Sequence, residues 1–175
     1  MWKLVQSKGV FQYTVTLLET LILAVIQGVT EWLPISSSGH LVVAQEYLGL
    51  RLPVFFDVIL HVGSLLVVLI VFWSDVVRVM KALIRLDFRS EEGRLGLYVF
   101  LGTVATLVIG FAFRGWFESF FQNLLAVGVA FVLTGSYYSL LYVFRRGEQR
   151  SIRLSSSSAI LIGVAQGVSL IPGVS

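Results

Sequence analysis

Apolar positions along this chain gather into long uncharged runs. Leu95 to Phe113 holds 19 residues without a charge, bounded by Arg94 and Arg114. As a helix that is roughly 28 Å, close to the thickness of a bilayer core. Ser119 to Phe144 holds 26 uncharged residues between Glu118 and Arg145, enough to span with tilt. Val58 to Ser74 is apolar except for His61; it begins beside Asp57 and ends in Trp73, an aromatic suited to an interface. A single run of this kind also fits a buried core helix, but three in 175 residues favour membrane spans.

The first fifty residues follow a different pattern. Thr14 to Thr30 is apolar apart from Glu19 and Gln27. The polar stretch from Glu31 to His40 follows, and then a short apolar stretch from Leu41 to Leu50. Neither flank is a full span, and Pro34 breaks any helix that contains it. Backbone without helical bonding survives at membrane depth only where protein or a wet cavity surrounds it. The pattern therefore predicts helix, break, helix: a re-entrant hairpin. A secretory signal peptide is the rival reading, since Lys3 and Lys8 precede the run, and Glu19 inside the run speaks against it.

Composition supports the membrane reading. Hydrophobic residues make up 57% of the chain and charged ones 13%, too little polarity to cover a water-facing body. Cysteine is absent, which excludes a disulfide scaffold and a cysteine zinc site. The net charge of +3 does not point to nucleic acid, because the basic residues cluster beside spans. Ser74 to Arg94 and Arg145 to Arg153 together hold nine of the thirteen, and two spans separate them. Both segments are therefore expected on the cytoplasmic side. Asp57 and His61 then lie near the outer face. Lys3 and Lys8 weakly favour a cytoplasmic N-terminus; the hairpin favours an outer one and is preferred.

The chain also repeats itself. Gln27-Gly-Val-Thr leads to Pro34, and Gln166-Gly-Val-Ser leads to Pro172, each followed by serine. An odd number of spans lies between the copies, so the second is inverted. The fold class expected is all-α: a polytopic integral membrane protein with re-entrant hairpins and an inverted-topology repeat. It forms one transmembrane domain over 1–175, with a first repeat over about 10–113 and an incomplete second over about 119–175. Inverted broken helices meeting at mid-membrane build transporter sites and equally an enzyme pocket.

The first break carries candidate chemistry. Gln27 and Glu31 are four apart and share a helix face. A carboxylate in a membrane segment is costly and is a functional hypothesis by default. Together they can offer oxygen to Mg²⁺ or Ca²⁺. Ser36, Ser37 and Ser38 can cap a helix, bind phosphate or supply a nucleophile, and Gly39 beside them is conformationally permissive. His40 can act as base or acid beside them. Asp57 and His61 form a second pair four apart, able to complete a cation site or to orient other groups.

These residues resemble the undecaprenyl-diphosphate phosphatase family, also called the bacitracin-resistance protein family. The likeness rests on Gln27 through His40, on Phe56-Asp57 through Ser64, and on Gln166 through Ser175. It implies a membrane phosphatase that converts a polyprenyl diphosphate into the monophosphate lipid carrier, with a divalent cation, in the cell membrane, its pocket opening to the extracytoplasmic side. The family's Glu/Gln-x-x-x-Glu motif falls on Gln27 and Glu31, its nucleophilic serine on Ser37, its histidine on His40, and its second motif on Pro172, Gly173 and Ser175. The family's arginine would follow Ser175, where the sequence ends, so an N-terminal fragment of doubtful activity is expected. A lipid flippase or secondary transporter is the alternative, and a homodimer is left open. The serine–histidine pair discriminates, since a carrier needs binding groups but no nucleophile.

Overall fold

The computed structural model describes residues 15–144 and 154–174, and all its regular elements are helices. They are α1 (Leu17–Thr30), α2 (Ser37–Tyr47), α3 (Val54–Val71), α4 (Trp73–Ile84), α5 (Glu91–Ala112), α6 (Arg114–Phe120), α7 (Leu124–Phe144) and α8 (Ser156–Val168). Three of them, α3, α5 and α7, are long and apolar enough to cross a membrane. Their faces turn apolar side chains outward: Ile70, Phe111 and Val132 are all largely exposed. In water such surface would drive aggregation, so this is an all-helical membrane protein.

The expected spans are present, with shifted edges. The run from Ser119 is divided: its first residues close α6, and α7 starts at Leu124, where Asn123 Oδ1 accepts from Ala126 N at 3.1 Å. The basic stretch after Trp73 holds a helix, α4. Val76, Val77, Met80, Leu83 and Ile84 recur there at helical spacing, and Arg78, Lys81 and Arg85 take the other side. Arg145 to Arg153, Lys3, Lys8 and Ser175 lie outside the described residues.

Caps fix where helices begin. Thr16 and Glu19 form a reciprocal capping box at α1. Ser90 caps α5 and Ser155 caps α8, each accepting from the backbone N–H three residues on. Ser155 thus starts the helix that leads to the second Gln-Gly-Val motif.

Lipid is as apolar as leucine, so small residues and interhelical hydrogen bonds must hold these helices together. The most extensive interface joins α5 and α8. Ala159, Gly163 and Gly167 make a small-residue stripe on α8, facing Gly102, Thr106 and Ile109 of α5. A Cβ at Gly163 would sit 2.2 Å from the Gly102 carbonyl oxygen. Thr106 Oγ1 lies 3.0 Å from Gly102 O and 2.9 Å from Gly163 O, bonding its own helix and its neighbour.

The first hairpin, α1–α2, packs on α3 and α7, and its fully buried side chains include Leu23, Gln27 and Leu41. The two helix breaks meet. Gly173 N donates to Ser36 Oγ at 2.9 Å, and Thr134 Oγ1 of α7 donates to Gly173 O at 3.0 Å. Gly39 must be glycine, since a Cβ there would lie 2.7 Å from Gly173 N.

Candidate active site

Each break turns on a residue with positive φ: Ser36 at 62° and Gly173 at 96°. Glycine adopts this at no steric cost; for Ser36 it is strained backbone. Three contacts of its side chain hold Ser36 there. Its Oγ accepts from Gly173 N and, at 3.4 Å, from Gly39 N, and lies 3.4 Å from Ser38 Oγ. The turn lets the chain leave α1 after Thr30 and start α2 at Ser37.

As a result Glu31, at the end of α1, and Ser37, at the start of α2, face each other. Gln27 Nε2 donates to Glu31 Oε2 at 2.9 Å, the four-residue spacing bringing them onto one face. Ser37 Oγ donates to the same Glu31 oxygen. From α3, His61 Nε2 comes within 3.4 Å of Ser37 Oγ and 3.5 Å of Glu31 Oε2. His61 Nδ1 lies 2.7 Å from the Asp57 carbonyl oxygen. A carbonyl only accepts, so Nδ1 carries a proton, and Nε2 faces Ser37 and Glu31. The Asp57 carboxylate points elsewhere. Gln45 Nε2 of α2 donates to its Oδ1 at 2.6 Å, and both residues are buried. That bond ties α2 to α3 and so fixes His61 relative to Ser37.

These groups line a cavity of about 600 Å³. Glu31, Ser36, Ser37, Ser38, Asp57 and His61 contribute to its wall from the first motif and α3. The second repeat adds Gln166 and Ser169, and α6 adds Arg114 and Phe117. Of the residues expected in the site, His40 and Gly39 are placed elsewhere. His40 Nδ1 lies 2.8 Å from Ser36 O, and its ring meets Phe131 of α7 edge-on at 5.0 Å. The turn of α2 that presents Ser37 to the cavity directs His40 against α7, and His61 occupies the position beside the serine. Gly39 packs on the second break.

Gln45, Arg114 and Gln166 join the site without having been singled out. Gln45 had one signal, an uncharged polar residue inside the apolar stretch from Leu41. Gln166 had another, its match to Gln27 in the repeat.

A hard cation needs oxygen donors. Gln27 Oε1 is buried and lacks a hydrogen-bond partner, while Glu31 offers a half-exposed carboxylate. Gln27 points its Nε2 at Glu31, so a shared ion requires the amide turned over. No group of three His, Cys, Asp or Glu gathers among the described residues. The donor set fits a cation that completes its shell with phosphate and water, as Mg²⁺ does, and not a closed protein cage.

Comparison with known proteins finds relatives over most of the chain. The family model described as bacitracin resistance protein BacA matches residues 20–175. The chain is 37% identical over 158 residues to a protein named undecaprenyl-diphosphatase from Carboxydothermus hydrogenoformans, covering 90% of this chain and 58% of that protein. It is 40% identical to one of the same name from Alteromonas mediterranea, covering 91% and 62%. A third, from Korarchaeum cryptofilum, is 37% identical, covering 90% and 62%. The chain thus spans less than two thirds of the length of the curated relatives it matches.

Proposed function

The chain belongs to the bacitracin resistance protein BacA family, and from that premise we propose that the protein carrying it is a membrane phosphatase that converts a polyprenyl diphosphate, of the undecaprenyl type, into the monophosphate. One observation carries the reading: Ser37 Oγ is held between the Glu31 carboxylate and His61 Nε2 in the wall of a cavity. A hydroxyl beside a base, with that base oriented by a third group, is the arrangement of an activated nucleophile.

With the imidazole neutral, the Ser37 hydroxyl turns from Glu31 to His61 Nε2; its Oγ attacks the terminal phosphorus, and its proton passes to that nitrogen. The imidazolium so formed lies beside Glu31, which stabilises it. The bond from the terminal phosphorus to the bridging oxygen breaks. That oxygen takes the proton from His61 and leaves as the prenyl monophosphate. Water then attacks phospho-Ser37, releasing phosphate and restoring the hydroxyl. The unsatisfied amides at the start of α2 favour phosphate charge. Gln27 and Glu31 would hold a Mg²⁺ or Ca²⁺ ion, which when bound supplies charge neutralisation on the diphosphate. Ser36 and Gly39 keep the two breaks together, and His40 braces α2 against α7.

The side on which the cavity opens follows from charge. Nine of thirteen basic residues flank the ends of α5 and α7 remote from the Arg114–Glu118 connection, so that connection, which lines the cavity, is extracytoplasmic in a cell membrane. The prenyl tail stays among acyl chains.

The test is phosphate release from a prenyl diphosphate in detergent, where no second compartment exists. Release that needs Ser37 supports the phosphatase. Binding without release under conditions that supply Mg²⁺ or Ca²⁺ overturns it in favour of a carrier.

A further inference from the structure

The connection between α5 and α7 holds one basic residue, Arg114, on the side where charge bias disfavours it. Arg114 opens α6, a short aromatic helix. Arg114, Phe117, Glu118 and Phe121 stand at i, i+3, i+4 and i+7, one helical face, and all four line the cavity that contains Ser37. Phe117 is buried and anchors the helix. On the other side Trp116 meets Phe120 edge-on at 5.0 Å.

Charge makes Arg114 conspicuous. The described residues of the cavity wall include three carboxylates, Glu31, Asp57 and Glu118, and a single arginine or lysine. A diphosphate entering this cavity meets one permanently charged cation. The Arg114 guanidinium is 72% exposed, and its Nε donates to Glu118 Oε1 at 2.7 Å. An exposed pair of this kind is weak, whereas a guanidinium takes two phosphate oxygens at once through its planar fork.

We propose that the α6 face reads the lipid diphosphate: Arg114 binds its phosphate oxygens in exchange for Glu118, and Phe117 and Phe121 receive the first isoprene units. The proposal rests on the phosphatase reading and adds a substrate-selecting element to it. Cation and rings on one helix select for an anion joined to an apolar tail. After cleavage the monophosphate carries less charge, Glu118 recaptures the guanidinium, and product leaves.

The test titrates farnesyl methylenediphosphonate, which resists cleavage, into purified protein in neutral detergent. Arg114→Gln should weaken binding about ten- to hundredfold, the range of a charged hydrogen-bonded contact. Arg114→Lys should recover part of that, keeping charge without the fork. Glu118→Gln should tighten binding by about two- to fivefold, because a competitor is gone. Neither the Lys recovery nor the Glu118→Gln gain can arise from misfolding. Unchanged affinity in Arg114→Gln overturns the proposal. Phosphate release from the same preparations keeps the two readings apart. Release by Arg114→Gln at unchanged KM overturns the α6 contact and leaves the phosphatase standing. Binding that depends on Arg114, with no release by the parent protein, upholds the contact and overturns the phosphatase.

Discussion

The two helix breaks share a sequence pattern and a backbone device, yet they carry different loads. Each runs Gln-Gly-Val-hydroxyl to proline, and each then turns on a residue with positive φ. In the first, Gln27 is buried and bonded to Glu31. In the second, Gln166 is exposed toward the cavity, and the position matching Glu31 is Leu170. Gly28 of the first has nothing near its absent Cβ, whereas Gly167 of the second is pressed on Ile109. Among the described residues, the first break thus presents Glu31 and Ser37 to the cavity, and the second presents Gln166 and Ser169 there, packs on α5 and gives a backbone N–H to Ser36. A repeated backbone can be kept while its side chains divide the work, because the turn and the chemistry depend on different atoms.

The largest effect is expected at Glu31. Glu31→Leu gives the first break the residue of the second and should reduce phosphate release by about a thousandfold or more, since it removes the partner of both Ser37 and His61. Leu170→Ala should leave the rate within about tenfold, having no polar contact to lose. Equal losses in the two variants would refute the division of labour. Next in size is Ser36→Ala, which leaves the buried Gly173 N–H without its acceptor and keeps the strained φ. It should lower stability by about 1–3 kcal/mol, read as an earlier thermal transition in detergent. The smallest effect sets the matched glycines against each other. Gly167→Ala forces Ile109 aside, at a cost of about 1–3 kcal/mol. Gly28→Ala meets open space and should be neutral or stabilising by up to about 1 kcal/mol.

Much of this was legible in the chain because it depends on local spacing. The three spans follow from uncharged length, the hairpin from Pro34, and the Gln27–Glu31 contact from a four-residue interval. The matched Gln-Gly-Val motifs pointed to two breaks that meet, and Gly173 N donates to Ser36 Oγ. What escaped depends on contacts distant in sequence. His61 was read as a supporting partner of Asp57, yet it reaches Ser37 from 24 residues away. His40, only three residues from Ser37, turns to Phe131, because the direction of a helix face is settled by what packs on it. Thr106 bridges 57 residues to Gly163. Helix α6 lies mostly between two of the uncharged runs, and seven residues are too few for a periodic pattern to stand out. Helix α4 did carry a visible amphipathic pattern, which its basic residues obscured.

The proposed role of Ser37 as the nucleophile, held by Glu31 and His61, has a direct test. A prenyl diphosphate is mixed with the protein carrying this chain, the reaction is quenched, and phosphate is mapped on the peptides. Quenching within the first turnover should catch the intermediate before water attacks it. Phosphate should then appear on Ser37, and no phosphate release above background should remain once Ser37 is alanine. Turnover by Ser37→Ala within tenfold of the parent protein, with no phosphoserine at position 37 in the parent, would refute that role.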